Sequence, residues 1–240
     1  VAKCPLPVTD PHTRVAMFEA ARLQARIRHR NVLKVLGVHE QCMFPAILLE
    51  VASGGDLSDW YTVEAHLEAQ WKVFRQVADA LNALHTANPR VVHRDLKGQN
   101  VFLTEDHTVK LADFDLAVEL HPPHYKTTGL CGTPGFMAPE VLSNEPYDCQ
   151  ADVFSYGSLL YEISHSTFPF GKELEDDHSM GSSGWFEMTA SMTLRGVRPL
   201  LNPKCCPPGL RALIKDCWEA SPAKRPTMAQ CIVRLDNMMY

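Results

Sequence analysis

Three oxygen-bearing side chains, Asp95, Asn100 and Asp113, stand at the edges of short apolar runs, and this placement constrains the chain most. His93-Arg94-Asp95 follows Val91-Val92, Asn100 opens Val101-Phe102-Leu103, and Asp113 closes the run 109–112. Short runs rich in Val and Leu between polar residues read as strands. Two such strands paired as a hairpin bring Asp95, Asn100 and Asp113 to one edge. A carboxylate and an amide oxygen there are hard ligands, suited to Mg²⁺ that keeps waters and phosphate oxygens. A separate carboxylate can accept a proton from a hydroxyl, and Lys97, two residues on, can steady a phosphoryl charge. Singly, each is an ordinary solvated loop charge. As an ordered set they point to phosphoryl transfer, which needs positioning and charge compensation above all.

The 240 residues are 45% hydrophobic and 21% charged, which suits one large domain or two lobes sharing a cleft. A net charge of −5 with no basic stripe argues against a nucleic-acid partner. No apolar run has the length of a membrane span, and the N-terminus carries no signal-peptide pattern. The eight cysteines include no C-x-x-C pair. Free or buried thiols in a reducing compartment are therefore expected rather than a zinc site, and the location implied is cytoplasmic.

Helical spacing of Phe18, Leu23 and Ile27 predicts a helix over 15–28. Strands are expected over 32–38 and 46–51, and Ser53-Gly54-Gly55 reads as a turn between two lobes. Trp71, Phe74, Ala78, Leu81 and Leu84 place a core-facing helix over 69–85. Further helices are expected over 151–164 and 208–219, with Thr227 capping a last one. The acidic, Gly- and Ser-bearing stretch 171–184 reads as a mobile surface loop.

His93-Arg94-Asp95-Leu96-Lys97-Gly98-Gln99-Asn100 resembles the catalytic loop H-R-D-x-K-x-x-N of the eukaryotic protein kinases. The resemblance implies that Asp95 is the catalytic base, that Lys97 contacts the γ-phosphate, and that Asn100 and Asp113 bind Mg²⁺ beside ATP. It continues through Asp113-Phe114-Asp115, where the family has D-F-G, and through 132–140, ending in Ala138-Pro139-Glu140. Asp152 in Asp152-Val153-Phe154-Ser155-Tyr156-Gly157 is then the holder of the catalytic-loop backbone, and Arg225 the partner of Glu140. Thr133 is expected to contact the catalytic loop rather than receive phosphate.

By the same resemblance Lys3 stands for the strand lysine, with one residue of its V-A-I-K pattern altered or missing. Glu19 is its candidate helix partner, although it lies one residue farther from His29 than the family spacing. Leu49 resembles the gatekeeper, Glu50-Val51-Ala52 the hinge that pairs adenine through its backbone, and Phe102 the floor beneath the ring. Asp56 is either a ribose contact or a helix cap. The implied fold is α+β and bilobal: a small, mostly strand lobe, 1–52, above a mainly helical lobe, 53–240, with ATP between them. The glycine-rich loop and its two strands are expected before Lys3, so the chain reads as an N-terminally truncated domain that binds nucleotide weakly.

Lys97 and Gly132-Thr133-Pro134 imply a serine/threonine protein kinase acting on protein substrates. Cys217-Trp218-Glu219 before Arg225-Pro226 leans towards the tyrosine-kinase-like group. Arg94 beside Asp95 implies control by phosphorylation of the activation segment, by an upstream kinase or by autophosphorylation at Thr127 or Thr128. Asp115 in place of glycine, with the missing loop, leaves open a pseudokinase or kinase-fold scaffold. A small-molecule phosphotransferase is a third alternative, disfavoured by the complete segment ending at Glu140.

Overall fold

The central hairpin forms as its apolar runs require. Strands β5 (Val101–Leu103) and β6 (Val109–Leu111) pair antiparallel, with Val101 opposite Leu111 and Leu103 opposite Val109. Those four side chains are buried, while Phe102 and Lys110 between them point to the other, half-buried face. The computed structural model describes residues 2–3, 11–39, 46–63, 67–171 and 181–238.

A three-stranded antiparallel sheet precedes the hairpin, with β3 (Ala46–Leu49) between β1 (Ala2–Lys3) and β2 (Val35–His39). Lys3 is the register partner of Ile47. The strand expected over 32–38 starts late, at Val35, and a β-bulge between Val35 and Gly37 shifts its register against β3. Val32 and Leu33 leave the sheet instead and tie it to the hairpin, through Leu33 N–H to the Leu111 carbonyl and Leu111 N–H to the Asn31 carbonyl, both 2.8 Å. Helix α1 (Pro11–Arg26) covers the sheet, burying Phe18 and Ala21 against Ile47. Pro11 opens it, where a missing N–H costs nothing.

The remainder is mainly helical, and the molecule as a whole is α+β. After α2 (Leu57–Val63), helix α3 (Leu67–His85) buries Phe74, Ala78, Leu81 and Leu84, as their spacing predicts, together with Val73, Val77 and Ala80. Strand β4 (Arg90–Val92) pairs with β7 (Val118–Leu120), bracketing the hairpin between them in sequence. Short α4 (Pro139–Leu142) follows, then α5 (Gln150–His165), in which every residue from Ala151 to His165 is buried. A helix apolar on all sides belongs in a core; this one also carries Asp152 and Glu162 there. Helices α6 (Ser182–Leu194), α7 (Pro208–Cys217) and α8 (Met228–Asp236) complete the chain. Thr227 caps α8 through a reciprocal box, its hydroxyl accepting from Gln230 N–H while the Gln230 side chain accepts from Thr227 N–H.

Of the loop expected over 171–184, residues 172–180 lie outside the described residues, and residues from Ser182 onward belong to α6. Among the described residues no helix is long and apolar enough to cross a membrane.

Candidate active site

Buried α5 fixes the loop between β4 and β5 by its backbone. The Asp152 carboxylate accepts from His93 N–H at 2.8 Å and from Arg94 N–H at 2.9 Å. Ten residues further along α5, about 15 Å at the helical rise, the buried Glu162 accepts from Gly98 N–H at 2.9 Å. His85, at the end of α3, donates Nε2–H to Asp152 Oδ2 at 2.9 Å. His93 Nε2 lies 2.9 Å from the Ala112 carbonyl while its Nδ1 accepts from Asp95 N–H, which assigns its proton to Nε2. Its ring meets Phe114 edge-on at 5.1 Å.

Burial alone would raise the Asp152 carboxyl, but the hydrogen bond and charge of His85, with His93 close by, hold it below the ordinary carboxylate value. A group depressed in the folded state contributes stability above its unfolded pKa, about 3.9, and loses it as pH falls through the lower folded value. Asp152→Asn should therefore cost about 3 kcal/mol at neutral pH and flatten the decline in stability below about pH 4. Denaturant melts between pH 3 and pH 7 measure this; equal slopes in both proteins would count against it.

With its backbone held, the loop assembles a compact polar cluster. Asn100 Nδ2 donates to the Asp95 carbonyl at 2.8 Å and to Asp95 Oδ2 at 3.0 Å. Thr133 donates its hydroxyl to Asp95 Oδ1 at 2.6 Å. Lys97 Nζ donates to Thr133 Oγ1 at 2.8 Å and lies 3.1 Å from Asp95 Oδ2. Thr133 thus makes the catalytic-loop contact expected of it. Its segment approaches closely because residue 132 is glycine, with φ 114°; a Cβ there would meet the Arg94 carbonyl at 2.7 Å. The same segment ends at Glu140, whose carboxylate takes two parallel bonds from Arg225, at 2.6 and 2.7 Å, in a fully buried pair.

Between the sheet and this cluster lies a cavity of about 420 Å³. Leu49, Glu50, Ala52 and Phe102 line one side and Asn100, Asp113 and Asp115 another. The Glu50 carboxylate is committed to Lys110, 3.0 Å away, and to Lys34 N–H, and its own N–H to the Lys34 carbonyl, which leaves the backbone carbonyl as what this residue offers a ligand. Asp56 takes the cap alternative, accepting from Ser58 N–H at 2.8 Å ahead of α2. The turn 53–55 docks on β5, where a Cβ on Gly54 would stand 2.8 Å from the Thr104 carbonyl. Positive φ falls on Asp113, at 60°, and not on Asp115, so replacing the family glycine carries no backbone strain in this conformation.

From α1 the cavity receives Met17, Ala20, Ala21 and Gln24. Glu19 is not brought there. It is exposed and paired with Arg22, and it lines a separate groove beneath α1 with Arg26, Arg94 and Glu119. One residue of offset turns a helical side chain by about 100°, so the unusual distance of Glu19 from His29 was the available signal. Leu23 packs partly buried against the main core. Lys3 is placed on β1, opposite Ile47 of the cavity wall. His85, Glu162 and Gln24 gave no motif signal; their roles come from tertiary placement.

The fold and the cluster together define the class as phosphotransferase, with the cavity between a small sheet and a helical body. Residues 8–234 match the family described as protein kinase domain, and the chain belongs to that family. It is 32% identical over 221 residues to the Dictyostelium discoideum protein named "Probable serine/threonine-protein kinase drkD", covering 90% of this chain and 16% of that one. It is 31% identical over 222 residues to serine/threonine-protein kinase STY17 of Arabidopsis thaliana, covering 90% and 36%. With mitogen-activated protein kinase kinase kinase 13-B of Xenopus laevis the identity is 32% over 215 residues, covering 88% and 21%. The chain spans between 16% and 36% of the length of these relatives.

Proposed function

We propose that this domain, within its whole protein, transfers the γ-phosphate of ATP to serine or threonine hydroxyls of a protein substrate. The observation that carries the reading is the Asp95 carboxylate held by Thr133, by Lys97 and by Asn100, the last of which lines the cavity. So placed, Asp95 accepts the proton of the attacking hydroxyl, and Lys97 stands where negative charge develops. Adenine is read by the backbone of Glu50 and Ala52 over Phe102. We place the boundary between a strand lobe, 1–52, and a helical lobe, 53–240, at the turn beside this hinge.

The donor set fits Mg²⁺. Asn100 spends its amide nitrogen on Asp95, so its oxygen is what it offers the cavity, together with the Asp113 carboxylate. Among the described residues no group of three or more His, Cys, Asp or Glu is gathered as a self-sufficient metal cage. A cation that draws its remaining ligands from water and phosphate suits such a pair. Bound there, Mg²⁺ would neutralise phosphate charge. Lys3 enters as the nucleotide contact from the sheet.

Regulation by an upstream kinase or by autophosphorylation is assigned to Thr128, which is exposed, or to Thr127, which is half-buried. The described cysteines are all free thiols, which favours a reducing, cytoplasmic setting.

Thermal melts in MgATP test the reading. At a hundredfold excess over Kd the stabilisation is about 2.7 kcal/mol, or a rise of roughly 5–10 °C for a domain of this size. Asp113→Asn should lose the Mg²⁺-dependent part of that rise and Lys3→Ala the larger part of the whole. Peptides offering Ser, Thr or Tyr then identify the acceptor. No shift with MgATP and no labelled peptide would refute the proposal.

A further inference from the structure

An arginine beside the catalytic base commonly waits for a phosphate that orders the activation segment. In this chain the guanidinium is already engaged. Arg94 Nη1 donates to the Tyr147 hydroxyl at 3.2 Å, and Arg94 Nε donates to the Leu116 carbonyl. The Tyr147 hydroxyl donates onward to the Gly129 carbonyl at 3.1 Å and lies 3.7 Å from Cys131 Sγ. Its backbone exchanges both hydrogen bonds with Thr127, each 2.9 Å. The ring is buried, 2% exposed. Tyr147 therefore holds residue 127 by its backbone and ties residues 129 and 131 to the catalytic loop by its neutral hydroxyl, and Gly132 and Thr133 follow directly, seated on the Arg94 carbonyl and on Asp95.

We propose that the Tyr147 hydroxyl is a positioning contact that stands in for a phosphate, ordering the activation segment on Arg94 before any phosphorylation of Thr127 or Thr128. The inference rests on the kinase reading above and deepens it. Two properties suit the hydroxyl to the role. A phenol accepts from Arg94 while donating to Gly129, as a phosphate's oxygens cannot. Burial pushes its pKa up to about 12, against the opposing pull of Arg94 and with a further push from Cys131, so it remains a donor across the neutral range. Phosphate on the exposed Thr128 then adds to an ordered segment instead of creating it.

Tyr147→Phe removes one oxygen and keeps the buried ring. Phosphatase-treated wild type should retain kcat within about twofold of the untreated enzyme, whereas phosphatase-treated Tyr147→Phe should fall about tenfold at unchanged KM for ATP. Phosphorylation should restore the variant, because the substitution leaves Arg94 Nη1 free to take the phosphate; a purely structural loss would not be restored. Amide exchange over 127–135 should be faster in the unphosphorylated variant. Loss of wild-type activity on phosphatase treatment, or a variant unchanged in both kcat and exchange, would overturn the inference. Faster exchange in a protein that transfers no phosphate would uphold the contact and sink the kinase reading alone.

Discussion

Asp95→Asn is expected to lower kcat by roughly 10²- to 10⁴-fold, the range for loss of a positioned general base, with little change in KM for ATP. The side chain accepts from Asn100, Thr133 and Lys97, donors that together require a carboxylate. An amide keeps one acceptor and turns an NH₂ towards another donor, so the base is lost and its neighbours are set against it. The backbone anchors, Asp152 on His93 and Arg94 and Glu162 on Gly98, do not involve the Asp95 side chain. The melting temperature should accordingly move by only a few degrees. Steady-state kinetics with a phosphorylatable peptide, beside a calorimetric scan, separate the two effects. A variant within about threefold of wild type would remove Asp95 from the chemistry.

The second large effect is on stability. Arg225 uses all its N–H groups: Glu140 takes two, and the carbonyls of Glu219, Gln150 and Ala220 take the others. Its guanidinium also lies over Phe154 at 5.2 Å. Arg225→Met leaves the Glu140 carboxylate buried without its counter-charge, a loss of about 3–5 kcal/mol. At about 2–4 °C per kcal/mol for a domain of this size, the midpoint should drop by roughly 6–20 °C. Lysine is a poor rescue, since one ammonium cannot reproduce the planar fork. Adding Glu140→Met to Arg225→Met should recover part of the loss, because an apolar pair needs no counter-charge. A single variant melting within about 2 °C of wild type would mean that the pair is not holding the segment.

The contacts that the sequence made legible are those whose residues follow one another at fixed spacing. The hairpin of Val101 and Leu111, the Asp152 anchor, the Thr133 contact and the Arg225–Glu140 pair were all anticipated from motifs. Less was legible where geometry depends on rotation or on distant pairing. Glu19 and Ala20 are neighbours in the chain, yet only Ala20 faces the cavity. Strand β7 is three residues long and is defined by β4, far away in sequence, so local periodicity does not mark it. Helix α6 opens with Ser182-Ser183-Gly184, residues that locally read as loop. Tyr147 sits in no recognisable pattern, and only packing shows that its hydroxyl meets Arg94.

The two carboxylates of α5 grip the catalytic loop through main-chain N–H groups, and the helix that bears them is buried from Ala151 to His165. A segment moored in that way has no private route to melting; its amides open only when the helix does. Heat should therefore open the catalytic-loop amides and the helix at one and the same temperature.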